Sequence, residues 1–256
     1  MARRMMAWRR AAVLPALLLL AGCGGSWGWH VVNPADPRGR ANLRFMLDGL
    51  WATVSLSLAA MALSLAVGLA GAPAGLAPWG GLAWFQRVWV ELFRAVPILV
   101  MILWVFYGLP VVLDIRIGIF VAAMLAIAVC DSAFEAEILR GGIQSIERGQ
   151  HEAAQALGLS AWQRYRFVVL PQAVRRVLPP IGNQLVYVVK MSSLASVIGY
   201  QELTRRANEL VVTVFRPLEI YTILVLEYLA LILLISWAVR RLETRLGADQ
   251  RQGMPG

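Results

Sequence analysis

The chain has 256 residues, of which 59% are hydrophobic and 15% charged, and a formal net charge of +9. A soluble domain carries about 25% charged residues, so a single water-soluble globule is excluded and several membrane spans are expected. Lys190 is the sole lysine, and the arginines alternate with apolar runs, so positive-inside topology accounts for the charge and a nucleic-acid surface is excluded.

Arg3, Arg4, Arg9 and Arg10 precede the apolar run Ala11–Ala21. A basic stretch followed by a short apolar one is the pattern of a secretory signal, here residues 1–22. Leu20-Ala21-Gly22-Cys23 resembles a lipobox, in which Cys23 is acylated and becomes the mature N-terminus. An uncleaved anchor is the competing reading. One acyl chain adds only modest anchoring to a protein that already spans the membrane. Cys23, Cys130, His30 and His151 do not fall at zinc-like spacing, so no metal site is expected.

Residues 24–49 are polar and turn-rich and read as an extracytoplasmic segment. A first span is predicted over Leu50–Ala72, broken by Pro73, Gly75, Pro78, Gly80 and Gly81. Leu82–Arg94 has apolar residues at helical spacing set against Gln86, Arg87, Glu91 and Arg94, which predicts an interfacial helix. A second span follows at Val96–Leu113, then a tight turn at Asp114-Ile115-Arg116 and a third span at Ile117–Phe134. A polar loop covers about 135–177, longer than a passive connection between spans needs. The fourth and fifth spans are predicted at Pro179–Ile198 and Ile220–Val239, ahead of a basic tail with Arg240, Arg241, Arg245 and Arg251. Five spans with an outside N-terminus put the loop and the tail in the cytoplasm, and arginine is more abundant on that side. No repeat of 20–50 residues is visible, which excludes a solenoid.

Within the loop, Gly149–Leu157 is alanine-rich and predicts a short helix. Gly158 follows where a helix end wants a left-handed residue. Ser160 precedes Gln163 by three, the spacing of a capping box that starts a second helix. Pro171 opens a third helical piece, and Pro179-Pro180 marks the start of the next span. The result is a helical stirrup standing off the membrane, in which Glu152 caps or pairs with a nearby arginine. Polar residues inside spans are functional candidates: Asp131, Glu135 and Glu137 near the end of the third, Asn183, Gln184, Lys190, Ser192 and Ser193 in or near the fourth, Glu227 in the fifth. Lys190 would pair with one of these acids or face a substrate carboxylate, Glu227 would face a cationic group, and helix-to-helix hydrogen bonding is the alternative for each. Arg94 and Arg140 would bind headgroup phosphates or pair with Glu91 and Glu137.

Glu152-Ala153-Ala154, then Gly158, then Val168-Val169-Leu170-Pro171 closely resemble the EAA motif of bacterial ABC-importer permeases, with Val168 in place of isoleucine. Phe93-Arg94-Ala95-Val96-Pro97, the run Ala136–Ile146, Leu170-Pro171-Gln172-Ala173 and Ser193–Gly199 resemble the polar-amino-acid branch of that family. The resemblance covers roughly residues 42–240. Two positions depart from it: Glu135 stands where an apolar residue is usual, and Lys190-Met191-Ser192-Ser193 replaces Lys-Asp-Thr-Ser.

The resemblance implies an all-α integral membrane fold, about five transmembrane helices of the type I importer architecture with a cytoplasmic coupling helix. It implies a permease domain over residues 50–239, preceded by the periplasmic segment 23–49 and followed by the cytoplasmic tail 240–256. Glu152, Ala153, Ala154, Gly158, Leu170 and Pro171 would couple to an ATPase, and Asp131, Glu137, Asn183, Gln184, Lys190, Ser192, Ser193 and Glu227 would line the substrate path. The implied partners are an ATPase dimer, a second permease subunit (identical or not), a periplasmic solute-binding protein, an amino acid and membrane lipid. The resemblance implies that ATP binds the partner; this chain offers no Walker A loop, which needs Gly-Lys, since Lys190 follows Val189. Permeases for opines or other amino-acid derivatives share these features. A secondary transporter would show repeat-related halves, and a membrane enzyme would need convergent histidine, cysteine or carboxylate groups.

Overall fold

The computed structural model describes residues 28–76 and 80–245. The lipobox reading at Cys23, the signal at 1–22 and the end of the tail lie outside the described residues. Eight helices follow a short helical turn at Trp29–Val32: α1 Pro37–Leu76, α2 Gly81–Ala95, α3 Ile98–Leu113, α4 Ile119–Gln144, α5 Arg148–Ala156, α6 Ala161–Ile198, α7 Leu203–Val214 and α8 Pro217–Arg245. Helices α1, α4, α6 and α8 are long and apolar enough to cross a membrane, and α2 with α3 forms a pair bent by 99°. The bend places α2 across the direction of α3, as an interfacial helix requires.

Helix α4 is the centre of the bundle. Ala122, Ala126, Ile127 and Cys130 are buried with Leu56 and Ala60 of α1, Ile102 of α3 and Val188 of α6. Small residues on α4 let its neighbours approach closely, the usual way helices gain contact where lipid offers no hydrophobic drive. Gly68 of α1 shows this: a Cβ there would stand 2.8 Å from Cβ of Glu135.

The structure corrects the predicted boundaries in several places. Helix α1 begins at Pro37, so the second half of the segment expected to be extracytoplasmic coil is helical. Proline at the first helical position lacks only a hydrogen that the helix would not use. Helix α4 runs ten residues past the predicted end at Phe134, to Gln144. Charge at Glu137 and Arg140 suggested a loop, but Ala136, Leu139 and Gly142 stay on the buried side, so the charges sit on the outer face of one continuous helix. Helix α6 absorbs Pro171 and Pro179-Pro180 without a break. A π-turn at Tyr165–Val169 ends just before Leu170-Pro171, and another at Trp104–Gly108 ends just before Leu109-Pro110. The wider turn relieves the clash of the proline ring with the preceding carbonyls. The stirrup therefore spans residues 145–160 and hands over directly to α6.

Helix α7 lies between the predicted fourth and fifth spans, where no element was predicted. Its first turn is built from three elements: the buried Glu202 carboxylate accepts from the Thr204 and Arg205 amides at 2.9 and 2.7 Å, and Tyr228 of α8 donates to the same carboxylate at 2.9 Å. The Leu203 amide donates to Thr53 of α1 at 3.2 Å.

Candidate functional site: a docking loop and an intramembrane polar face

The loop after α4 is held by short-range chemistry. The Leu159 amide donates to the Ala154 carbonyl at 3.2 Å and the Gly158 amide to the Gln155 carbonyl at 2.9 Å, the paired bonds that close a helix C-terminus. Gly158 sits at φ +77°, with open space where a Cβ would stand. Its requirement is conformational and not steric. The capping box forms: the Gln163 amide donates to Ser160 Oγ at 3.3 Å, and the Ser160 amide to Gln163 Oε1 at 2.9 Å. The loop is tied to α6 by Gln172 Nε2, which donates to Gln150 Oε1 at 3.3 Å, and by Arg176, which donates to the Ser145 carbonyl.

Ala154 is buried against the bundle side of α5, while Glu152 and Ala153 are exposed. Glu152 makes no ion pair among the described residues, contrary to the pairing expected of it. Leu170 is half-buried and Pro171 exposed where α6 leaves the loop. Three large apolar side chains stand exposed on the loop and the first turns of α6 and were not anticipated as contact residues: Leu157 at 81% exposure, Trp162 at 69% and Phe167 at 67%. An exposed apolar patch rimmed by polar groups marks a protein contact surface. The sequence signal was available, since an apolar residue beside a helix-ending glycine and a tryptophan after a capping serine serve no buried face.

In the bundle, Asp131 of α4 is 1% exposed. It accepts hydrogen bonds from Ser64 of α1 and Gln184 of α6. Four residues on, Glu135 is buried with neither carboxylate oxygen bonded. Glu137 lies elsewhere, at the loop end of α4, where it pairs with Arg94 of α2, one of the pairings expected of that arginine. Ser192 and Ser193 donate to the carbonyls of Val189 and Lys190 within α6 at 2.8 and 2.7 Å. Glu227 of α8 keeps one buried oxygen without a partner. Of the predicted substrate-path residues, then, Asp131 and Gln184 are the pair that meets side chain to side chain among the described residues. Ser64, which completes their cluster, carried no distinguishing local pattern.

Lys190, Asn183 and Tyr187 are exposed on α6. Lys190 pairs with no acid among the described residues. The spacing 183, 187, 190 places the three on one helix face. Lys190 falls in the last turn of the α-helical part of α6, and a lysine within an apolar span is costly to leave facing lipid.

A multi-span helical chain with a capped, exposed loop and an open polar face on one long helix has the make-up of a membrane subunit of a larger assembly. The match to known proteins is specific. Residues 68–248 match the family model of the binding-protein-dependent transport system inner membrane component. The chain is 39% identical over 224 residues to the glutamine transport system permease protein GlnP of Escherichia coli strain K12, covering 85% of this chain and 97% of that one. It is 30% identical to the arginine transport system permease protein ArtQ of Bacillus subtilis strain 168, covering 80% and 94%. The structure of an amino acid ABC transporter solved with histidines superposes with a TM-score of 0.74 at 32% identity, covering 79% of this chain and 94% of that one. The fold is shared more widely: the inward-facing MetNI methionine transporter gives a TM-score of 0.66 at 21% identity, covering 79% and 96%. The chain belongs to the family of binding-protein-dependent transport system inner membrane components. It is a permease subunit of an ABC importer, a transport channel and not an enzyme.

Proposed function

We propose that this subunit carries a polar amino acid across the inner membrane, with transport driven by an ATPase pair bound to the stirrup. The observation that carries the coupling role is α5 itself, a capped helix held out from the bundle. Its exposed face bears Glu152 and Ala153, with Leu157, Trp162 and Phe167 beside it. The residues proposed to couple to the ATPase are Glu152, Ala153, Gly158, Leu170 and Pro171, joined by that apolar trio, with Ala154 buried beneath them. ATP binds the partner subunits. Their closure draws two stirrups together, and the rigid continuation of the loop into α6 transmits the movement to the spans.

The amino-acid cargo is supported by the relatives, several of which are named as glutamine, arginine or cystine permeases. A substrate path along Asn183, Tyr187 and Lys190 is supported by their shared exposed face. In a pair of permease subunits that face would line the gap between copies, with the Lys190 ammonium free to meet a substrate carboxylate. Asp131, bonded to Gln184, and Ser192 and Ser193 shape the wall; of the remaining candidates Glu137 is bound to Arg94 and Glu227 keeps one buried oxygen unbonded. A periplasmic binding protein delivers the cargo, which fits an outside N-terminus and a cytoplasmic stirrup and tail. The test is a detergent pull-down of the tagged chain from its host, read by mass spectrometry. Recovery of an ATPase with the parent chain but not with Gly158→Asp supports the coupling role. Recovery with neither would move the subunit to an ATP-independent carrier.

A further inference from the structure

Two cavities lie end to end along the seam between α2 and α4. One, of about 250 Å³, is apolar and lined by Val67, Ala70, Phe85 and Trp89 among others. The other, of about 340 Å³, is polar and includes Arg87 and Arg140. Gln86 and Ala136 line both, so the two adjoin across a shared wall, with the greasy cavity at one end and the charged cavity at the other. The charged end faces the side of the bundle that carries the stirrup, because α4 runs from this seam directly into the docking loop.

The arginines of the seam are not equivalent. Arg94 is engaged with Glu137 and lies 5.2 Å above the Phe134 ring. Arg87 is exposed and makes no ion pair among the described residues. Arg140 bonds only the neutral Gln144 amide oxygen, at 3.0 Å. Glu91 also lines the polar cavity, yet with Glu137 neutralised by Arg94 the free groups are two arginines against one glutamate. Trp84 and Phe85 of α2 are exposed at 67% and 55%. Helix α2 lies across α3 at 99°, and exposed aromatic rings on a helix of that orientation suit the depth where headgroups meet acyl chains.

We propose that this seam is a binding site for an anionic phospholipid, its headgroup phosphate held by Arg87 and Arg140 and one acyl chain lying in the Val67–Phe85–Trp89 groove. The paired chemistry selects the occupant. An apolar groove alone would accept any hydrocarbon, and a pair of arginines alone would accept any phosphate. The two sharing a wall at Gln86 and Ala136 fit a molecule that is anionic at one end and aliphatic at the other. A zwitterionic lipid has the same tails but adds a positive charge that the two arginines repel.

The test is native mass spectrometry of the purified chain in detergent, titrated with phosphatidylglycerol and with phosphatidylcholine of the same acyl chains. The parent should retain phosphatidylglycerol in preference. Arg87→Gln with Arg140→Gln should lower that retention roughly 30-fold, each arginine near an anionic headgroup acting about equally. Ala70→Trp fills the groove while leaving both arginines in place, and should lose retention too. Glu91→Gln should raise it. Equal retention of the two lipids by the parent, or full retention by both the double variant and Ala70→Trp, overturns the proposal. Displacement of the lipid by inorganic phosphate at equal concentration also overturns it, leaving a simple phosphate site. The measurement uses the permease chain alone, so its outcome is separate from whether an ATPase is recovered in the pull-down.

Discussion

The docking loop and the polar centre of the bundle both hold hydrogen-bonding groups in order, but over different distances along the chain. In the loop, Ser160 and Gln163 satisfy each other three residues apart, and the helix end at Gly158 is closed by bonds to Ala154 and Gln155. In the bundle, Asp131 draws on Ser64, 67 residues away, and on Gln184, 53 residues away. The loop carries its shape in its own residues, so it can stand free of the bundle and offer an outer face to a partner. The polar centre has no shape until three helices have packed. Damage to the loop should therefore break function and spare the fold, whereas damage to the centre should weaken the fold first.

The largest expected effect separates those outcomes. Gly158→Asp should abolish ATPase recovery and uptake while the chain still inserts at normal abundance. Gly158→Asn, which tolerates the left-handed conformation, should keep measurably more activity than Gly158→Val, where the strain is about 1–2 kcal/mol. If Gly158→Val couples as well as the parent, the loop's geometry is not what the ATPase reads.

Asp131→Ala should lower thermal stability in detergent by about 1–3 kcal/mol, because Ser64 and Gln184 lose a buried acceptor. Asp131→Asn should cost less, as one acceptor oxygen remains. An unchanged melting temperature for Asp131→Ala would show that the centre is not held by this cluster.

Glu202 gives a smaller, pH-dependent effect. Burial raises its carboxyl above the usual range, opposed by the Thr204 and Arg205 amides. The folded state then holds the proton more tightly than the unfolded chain. This contribution is complete below the unfolded value near about 4.3 and is lost as pH rises through the folded value. Glu202→Gln should flatten the loss of stability on going from acid to neutral pH, followed by thermal melts. The smallest effect belongs to Glu209, whose carboxyl is lowered by the Gln201 hydrogen bond and by Arg205. It lies on the surface of α7, bonded to Arg205 at 2.8 Å, and Glu209→Gln should shift stability by less than about 1 kcal/mol.

Much of the fold was legible because apolar length and turn chemistry act locally. The spans within α1, α4, α6 and α8, the bent helix pair α2–α3 and the capped stirrup all follow from hydropathy, helical spacing, Ser160 with Gln163, and Gly158. Boundaries were less legible where charge lies on a helix that continues. Glu137 and Arg140 look like a loop in sequence, yet the opposite side of the same turns packs on α1 and α6. Helix α7 was missed because the residues that start it lie on three segments: Glu202, Thr53 and Tyr228. Among the candidate site residues, the stirrup motif was visible as a motif, but Leu157, Trp162 and Phe167 gained meaning only once they were seen to be uncovered.

The sequence by itself determined the number and approximate place of the spans, the capped loop between them, and the family to which the motif points, because each depends on hydrophobicity or on contacts within a few residues. Only the tertiary structure decided that Asp131 meets Ser64 and Gln184, that Arg94 takes Glu137 and leaves Arg87 and Arg140 unpaired by acids, and that Lys190 remains on an open face. Such pairings depend on which helix faces turn toward one another, and that is set by the packing of small side chains around α4, which no local stretch of the chain encodes.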